Sequence, residues 1–321
     1  MTRNINKFVL LDSEDPAPPN EGKISTCELN SLPISKLYPN GDFPIGEIAE
    51  YTNQPWRSTS REKQEVDKLT QDVLGNLRRA AEVHRKVRQW TKQHVLRPGV
   101  PLIEIAKSLE SEVWRLVEKD GLKAGSAFPT GLSLNHIAAH FSPNTGDKTI
   151  FGASDVLKVD FGVHVNGYII DSAFTISFDT TFDPLINAVK EATNTGVKLA
   201  GIDARLGEIG AGIQEVMESH EVTINGKVYP VKAIKNLCGH SIDPYIIHAG
   251  KSVPSVKSND NTKMEENEQY AIETFGSTGR GQVTEDLECS HYSKIGDVRA
   301  NVRSATAKQL LSHINQKYGT L

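Results

Sequence analysis

From about residue 60 onward, the apolar positions switch between two periods. Residues 60–94 follow a long helical pattern, closed by the break Pro98-Gly99. Leu102, Ile105, Ala106, Leu109, Val113, Leu116 and Val117 then recur at helical spacing, which predicts a second helix with one apolar stripe. Across residues 125–178 the segments become strand-like and rich in Val, Ile, Phe and Thr. The order then repeats. Asp183-Pro184 predicts a helix start, Asp as N-cap and Pro at N1, with the helix running to about residue 200. A further helix carries Leu206, Ile209, Ile213, Val216 and Met217 on one face, and strands follow at VTINGKVYPV and around 269–275. Two helices followed by strands, twice over, predict an internally duplicated α+β architecture with its site between the halves. Residues 1–55, rich in Pro, Ser, Asn and Gly, lack lasting periodicity and predict an extended, partly disordered arm. After Gly296 the pattern is helical again, with no strand before Leu321.

Within the first strand region, Asp160 in VLKVDFGVHV and Asp171 in YIIDSAFTISF flank Asn166-Gly167. Asn-Gly supplies the two positive-φ residues of a type I′ hairpin turn. That turn sets Val165 opposite Tyr168, Gly162 opposite Asp171 and Asp160 opposite Ala173. Both carboxylates then share one face as diagonal neighbours, roughly 7–8 Å apart at Cα. Such a pair can converge on one divalent cation or on two. The hairpin alone leaves a second account open, in which one Asp faces solvent and the other caps a turn.

Composition narrows the function classes. The 321 residues suffice for one large domain or two, and the formal net charge of −4 argues against a broad basic nucleic-acid surface. The basic run RRAAEVHRKVR at 78–88 sits on a helical pattern and reads as a solvated helix face. Cys27, Cys238 and Cys289 form no CxxC and no disulfide framework, which fits a reducing compartment. The N-terminus lacks the apolar stretch of a signal peptide and no segment approaches a membrane span, so a cytoplasmic protein is expected.

Other motifs sort by chemistry. His136 and His140 are spaced i, i+4 in NHIAAH, but Ile137 stands where a zincin needs Glu. GSTGRG at 276–281 lacks the Lys-Ser/Thr ending of a P-loop, and Gly207, Gly210 and Gly212 lie inside a helical pattern rather than after a strand. His240 follows Gly239, with His248 eight residues on, and Glu273 ends an apolar strand. Asp160, Asp171, His240 and Glu273 make an oxygen-rich donor set with one imidazole, suited to Mn, Co, Fe or Zn.

KVDFGVHVNGYIIDSAFT, GHSIDPYIIHAGK, AIETFGSTGRG, AFPTGLSLNHIAAHFSPN and LYPNGDFPIGE together resemble the type 2 methionine aminopeptidases, in the order and spacing of that family. The resemblance implies a duplicated pita-bread (creatinase/aminopeptidase) fold, a mixed and mainly antiparallel sheet with helices outside. It implies an arm over 1–55, a catalytic domain over 56–296 and the start of a helical insertion over 297–321. It implies two divalent metal ions: Asp160 on one, Asp171 bridging both, His240 and Glu273 on the other. His140 and His248 would contact the substrate amine and scissile amide, with Phe128 and Ile247 in the methionine pocket. Glu273 would shuttle protons and His248 would stabilise the oxyanion. The implied activity is removal of initiator methionine before a small second residue. Its partners would be nascent polypeptide N-termini and the ribosome, without membrane or direct nucleic-acid contact, and the protein would be a monomer. The family's fifth ligand is a bridging Glu near the C-terminus, and no Glu follows Glu288 here. The sequence thus predicts a chain ending inside the insertion, without the last strands. The competing expectation is an inactive or truncated pita-bread homologue acting as a binding module.

Overall fold

The computed structural model describes residues 3–7, 32–51, 61–294 and 301–317, and within them the helix–helix–strand order occurs twice. Strand β1 (Arg3–Lys7) precedes the one-turn helix α1 (Ile34–Leu37) and pairs antiparallel with β2 (Glu47–Tyr51). Residues 1–2, 8–31 and 52–55 of the arm predicted over 1–55 lie outside the described residues. In the first half, α2 (Arg61–His94) and α3 (Leu102–Val117) lead into β3 (Ala124–Ser126), β4 (Gly131–Leu134), β5 (Val156–Val165) and β6 (Tyr168–Ser177). In the second, α4 (Asp183–Leu199) and α5 (Leu206–Glu218) lead into β7 (Glu221–Ile224), β8 (Lys227–Pro230), β9 (Lys232–Ala233), β10 (Cys238–Ile242), β11 (Ser252–Pro254), β12 (Gln269–Ala271) and β13 (Gly276–Ser277). Helix α6 (Ala305–Lys317) buries none of its side chains.

Strand β5 organises the first half. β3 and β4 pair with its two ends and β6 runs along its full length, all antiparallel. In the second half β10 lies between β11 and β12. Side-chain alternation divides each long strand. Leu157, Val159, Phe161, Val163 and Val165 of β5 enter a core with Leu77, Ala80, Val83 and Val87 of α2 and the whole predicted stripe of α3. A second core gathers Leu206, Ile209, Ile213 and Met217 of α5 with Ala188 and Ala192 of α4. Gly207 belongs to that packing. A Cβ there would stand 2.7 Å from the carbonyl oxygens of Ser258 and Asp260, so the glycine lets this loop lie on the helix.

Two expectations need correction. The basic run at 78–88 is not a solvated face: His84, Lys86 and Arg88 are buried, as is Glu82. Helix α2 packs against α3, β5 and β6, so more than its apolar stripe is covered. Glu82 is compensated there, accepting from Arg85 Nε and Nη2 at 2.8 Å and from the Tyr38 hydroxyl at 3.0 Å. Asp183 is also not an N-cap. Phe182 occupies that position, Asp183 begins α4, and Asp179 caps the preceding 3₁₀ turn through the Thr181 N–H at 2.9 Å.

Candidate metal centre

Asn166 and Gly167 adopt φ of 51° and 82°, and the β5–β6 ladder has the predicted register, with Gly162 opposite Asp171 and Asp160 opposite Ala173. Both aspartates therefore lie on the face away from α2. The second half supplies the other donors. His240 lies on β10 opposite Ala271 of β12, and Glu273 follows two residues later. The chain can close at this point because Gly239 has no side chain. A Cβ there would stand 2.9 Å from the Glu273 nitrogen and closer still to the Ala271 carbonyl. The residue after Glu273 is pinned from α4, with Thr193 Oγ1 2.6 Å from Thr274 Oγ1. Gly239→Ala is expected to destabilise the fold by about 1–3 kcal/mol, the usual cost of overpacking against backbone. Urea unfolding measures it, and an unchanged midpoint would contradict this account.

Asp171, His240 and Glu273 converge. His240 Nε2 lies 2.8 Å from Glu273 Oε1 and 3.4 Å from Asp171 Oδ2, and one donor atom from each residue falls within 4.8 Å of the others. His240 Nδ1 is 3.2 Å from the Ser241 carbonyl, an arrangement that turns Nε2 toward the carboxylates. Asp160 stands beside this triad rather than in it, and its Oδ1 is buried with no hydrogen-bond partner. Burial first, then the charges of Asp171 and Glu273, push its carboxyl well above the usual range, against the pull of His240. Burial also raises Asp171, opposed by its hydrogen bond with His240 and aided by Glu273. For His240, burial works against the charged form, but hydrogen bonds and charge from Asp171 and Glu273 hold its pKa up to about 10. Burial and mutual repulsion disfavour the charged carboxylates, while their negative charge favours the protonated imidazole. An orphaned carboxylate oxygen beside two carboxylates and an imidazole suits hard or borderline divalent cations.

The remaining predicted residues surround this group. The His248 ring meets His240 edge-on, centroids 4.2 Å apart, and its other side is exposed. Partial burial and the charges of His240 and His140 lower its pKa, while Asp171 raises it. His140 is exposed at the rim in a left-handed conformation, φ 65°. Phe128 and Ile247 pack on an apolar cluster of Ala127, Ile169, Ile242 and Ala271. The placement follows from alternation: Ile169, Ile242 and Ala271 each stand two residues from a donor, Asp171, His240 and Glu273 respectively. The sequence reading missed His291. Ser290 Oγ donates to the His140 carbonyl at 3.0 Å and accepts from the Ser142 N–H at 3.3 Å, which brings His291 to the rim. Burial and His140 lower the His291 pKa. No spacing or periodicity in ECSHY signals this placement.

Residues 75–299 match metallopeptidase family M24. Methionine aminopeptidase 2 of Dictyostelium discoideum is 60% identical over 292 residues, covering 91% of this chain and 66% of the relative. Methionine aminopeptidase 2A of Arabidopsis thaliana is 55% identical, with 91% and 66% covered. The chain thus spans just under two thirds of the length of these relatives. Among solved structures, the methionine aminopeptidase of Rickettsia prowazekii superimposes with a TM-score of 0.53 at 21% identity, over 67% of this chain and 82% of that one. A thermophilic Arx1 superimposes with 0.60 at 18% identity, over 78% and 75%. These likenesses show a shared pita-bread fold. With the match spanning both halves of the duplicated fold and all four predicted donors, the chain belongs to metallopeptidase family M24.

Proposed function

We propose that this protein is a metal-dependent aminopeptidase that removes N-terminal methionine from polypeptides whose second residue is small. The observation that carries the reading is the meeting of Asp171, His240 and Glu273, with unpartnered Asp160 alongside, next to a small apolar cluster. Asp160, Asp171, His240 and Glu273 would hold the divalent ions, which would supply an acidified water and a polarised carbonyl. The chain's own residues would do the rest. Phe128, Ile169, Ile242 and Ile247 would exclude water from an unbranched apolar side chain and so select methionine. Glu273, half-buried at the mouth, would take a proton from the attacking water and pass it to the leaving amine. His248, its pKa lowered and its ring anchored on His240, stays neutral near pH 7 and would donate a hydrogen bond to the developing oxyanion. His140 would hold the peptide at the rim. The substrates would be nascent chain N-termini. No described helix is long and apolar enough to cross a membrane.

Incubating the chain with Mn(II) or Co(II) and Met-Ala-Ser should release free methionine, read by chromatography, while Leu-Ala-Ser stays intact. No release where the Dictyostelium relative cleaves in parallel would overturn the reading. Ile247→Ala should lower kcat/KM for Met-Ala-Ser by about 10–200-fold, the range of 1–3 kcal/mol for apolar pocket contacts. An unchanged value would remove Ile247 from the pocket.

A further inference from the structure

Under the aspartate hairpin, on the side opposite both carboxylates, α2 buries His84 completely. Its Nε2 lies 2.9 Å from the Phe161 carbonyl oxygen and 3.1 Å from that of Ser172, and its ring stacks on Phe161 with centroids 3.8 Å apart and planes 6° from parallel. Carbonyls only accept, so Nε2 carries the proton and donates to both in a three-centre bond. Burial, then the charge of Arg88, lowers its pKa to about 3, so the imidazole is neutral. Nδ1 is then a bare acceptor, and it is buried without a hydrogen-bond partner. A buried orphan acceptor is a standing cost that a leucine at this position would not incur. Packing alone therefore does not explain the residue.

Its two acceptors do. Phe161 and Ser172 face each other across β5 and β6, and each directly follows one aspartate of the pair. We infer that His84 is a positioning residue: its one N–H ties together the backbones next to Asp160 and Asp171 and so sets the spacing of two carboxylates it never touches. A cation site tolerates only about 0.5 Å and 10–20° of misplacement, so slack at this rung of the ladder weakens binding on the opposite face. The inference rests on the metal-site reading above.

The experiment compares the parent chain with His84→Leu and His84→Gln. A glutamine amide can reach where the imidazole Nε2 stood and supplies two N–H donors, whereas leucine supplies none. Calorimetric titration with Mn(II) should show affinity about 10–100-fold lower in His84→Leu, and within about threefold of the parent in His84→Gln. In chelated protein, amide exchange at 160–162 and 171–173 should accelerate in His84→Leu without matching acceleration in α3. Should His84→Leu fail to fold, His84→Asn, whose amide stops short of both carbonyls, replaces it. Equal Mn(II) affinity in parent and His84→Leu overturns this inference alone, as does a His84→Gln as weak as His84→Leu. A parent chain that binds no Mn(II) overturns the metal-site reading and this inference with it.

Discussion

Replacing Asp171 with Asn is expected to remove tight divalent-metal binding and to lower kcat/KM for Met-Ala-Ser on the order of a thousandfold, the several kcal/mol that metal ions supply to such hydrolyses. Asp171 lies close to donors from both halves of the fold. It touches His240 at 3.4 Å, joins the triad with Glu273, and lies in the same ladder as Asp160. Asparagine keeps the shape but loses the charge, and its amide nitrogen would point N–H groups at a site that needs lone pairs. The hairpin should survive, because its register is set by Asn166-Gly167 and by apolar residues on the other face. Metal content by elemental analysis, calorimetry and far-UV circular dichroism separate these effects. A folded variant with the parent's metal content and activity within tenfold would sink the assignment of Asp171.

What was legible in the sequence follows from where local rules suffice. Asn166-Gly167 dictates a turn type, the turn dictates a register, and the register puts Asp160 and Asp171 on one face. The stripe of α3 was legible because one face is apolar and the other wet. Helix α2 departs from its pattern for the same reason in reverse: periodicity reports one buried face, whereas α3, β5 and β6 cover several, and His84, Lys86 and Arg88 are enclosed. The meeting of His240 with Glu273 depends on β10 pairing with β12 across a long connection, and no turn signal fixes that register. There the likeness to known aminopeptidases supplied what spacing could not. His291 escaped because Ser290, through the His140 carbonyl, brings it to the rim by loop contacts that leave no periodic trace.

Metal should stabilise this protein by a margin that grows with pH. In the metal-free chain the carboxyls of Asp160 and Asp171 have pKa values above their usual 3.8, and His240 titrates at about 10 rather than 6.5. A group whose pKa is raised on folding contributes stability that is complete below its unfolded value and is lost as pH climbs through its folded value. All three groups thus act in one direction. From mild acid toward pH 10, the metal-free site becomes progressively more costly to keep folded. Cations replace those protons and bind only the deprotonated ligands, so their affinity rises over the same range. At free metal a thousandfold above Kd, the stabilisation is about 4 kcal/mol. Thermal unfolding of chelated and Mn(II)-loaded protein should therefore give a Tm gap that widens from pH 5.5 to pH 8, and using the difference cancels groups elsewhere in the chain. Asp160→Asn removes one raised carboxyl. It should make the chelated protein more stable at pH 8, by about 1–3 kcal/mol for relieving a buried, unpartnered group, and shrink the metal-dependent gap. A gap that is absent at every pH, or that narrows as pH rises, would show that these buried carboxylates are not a cation site.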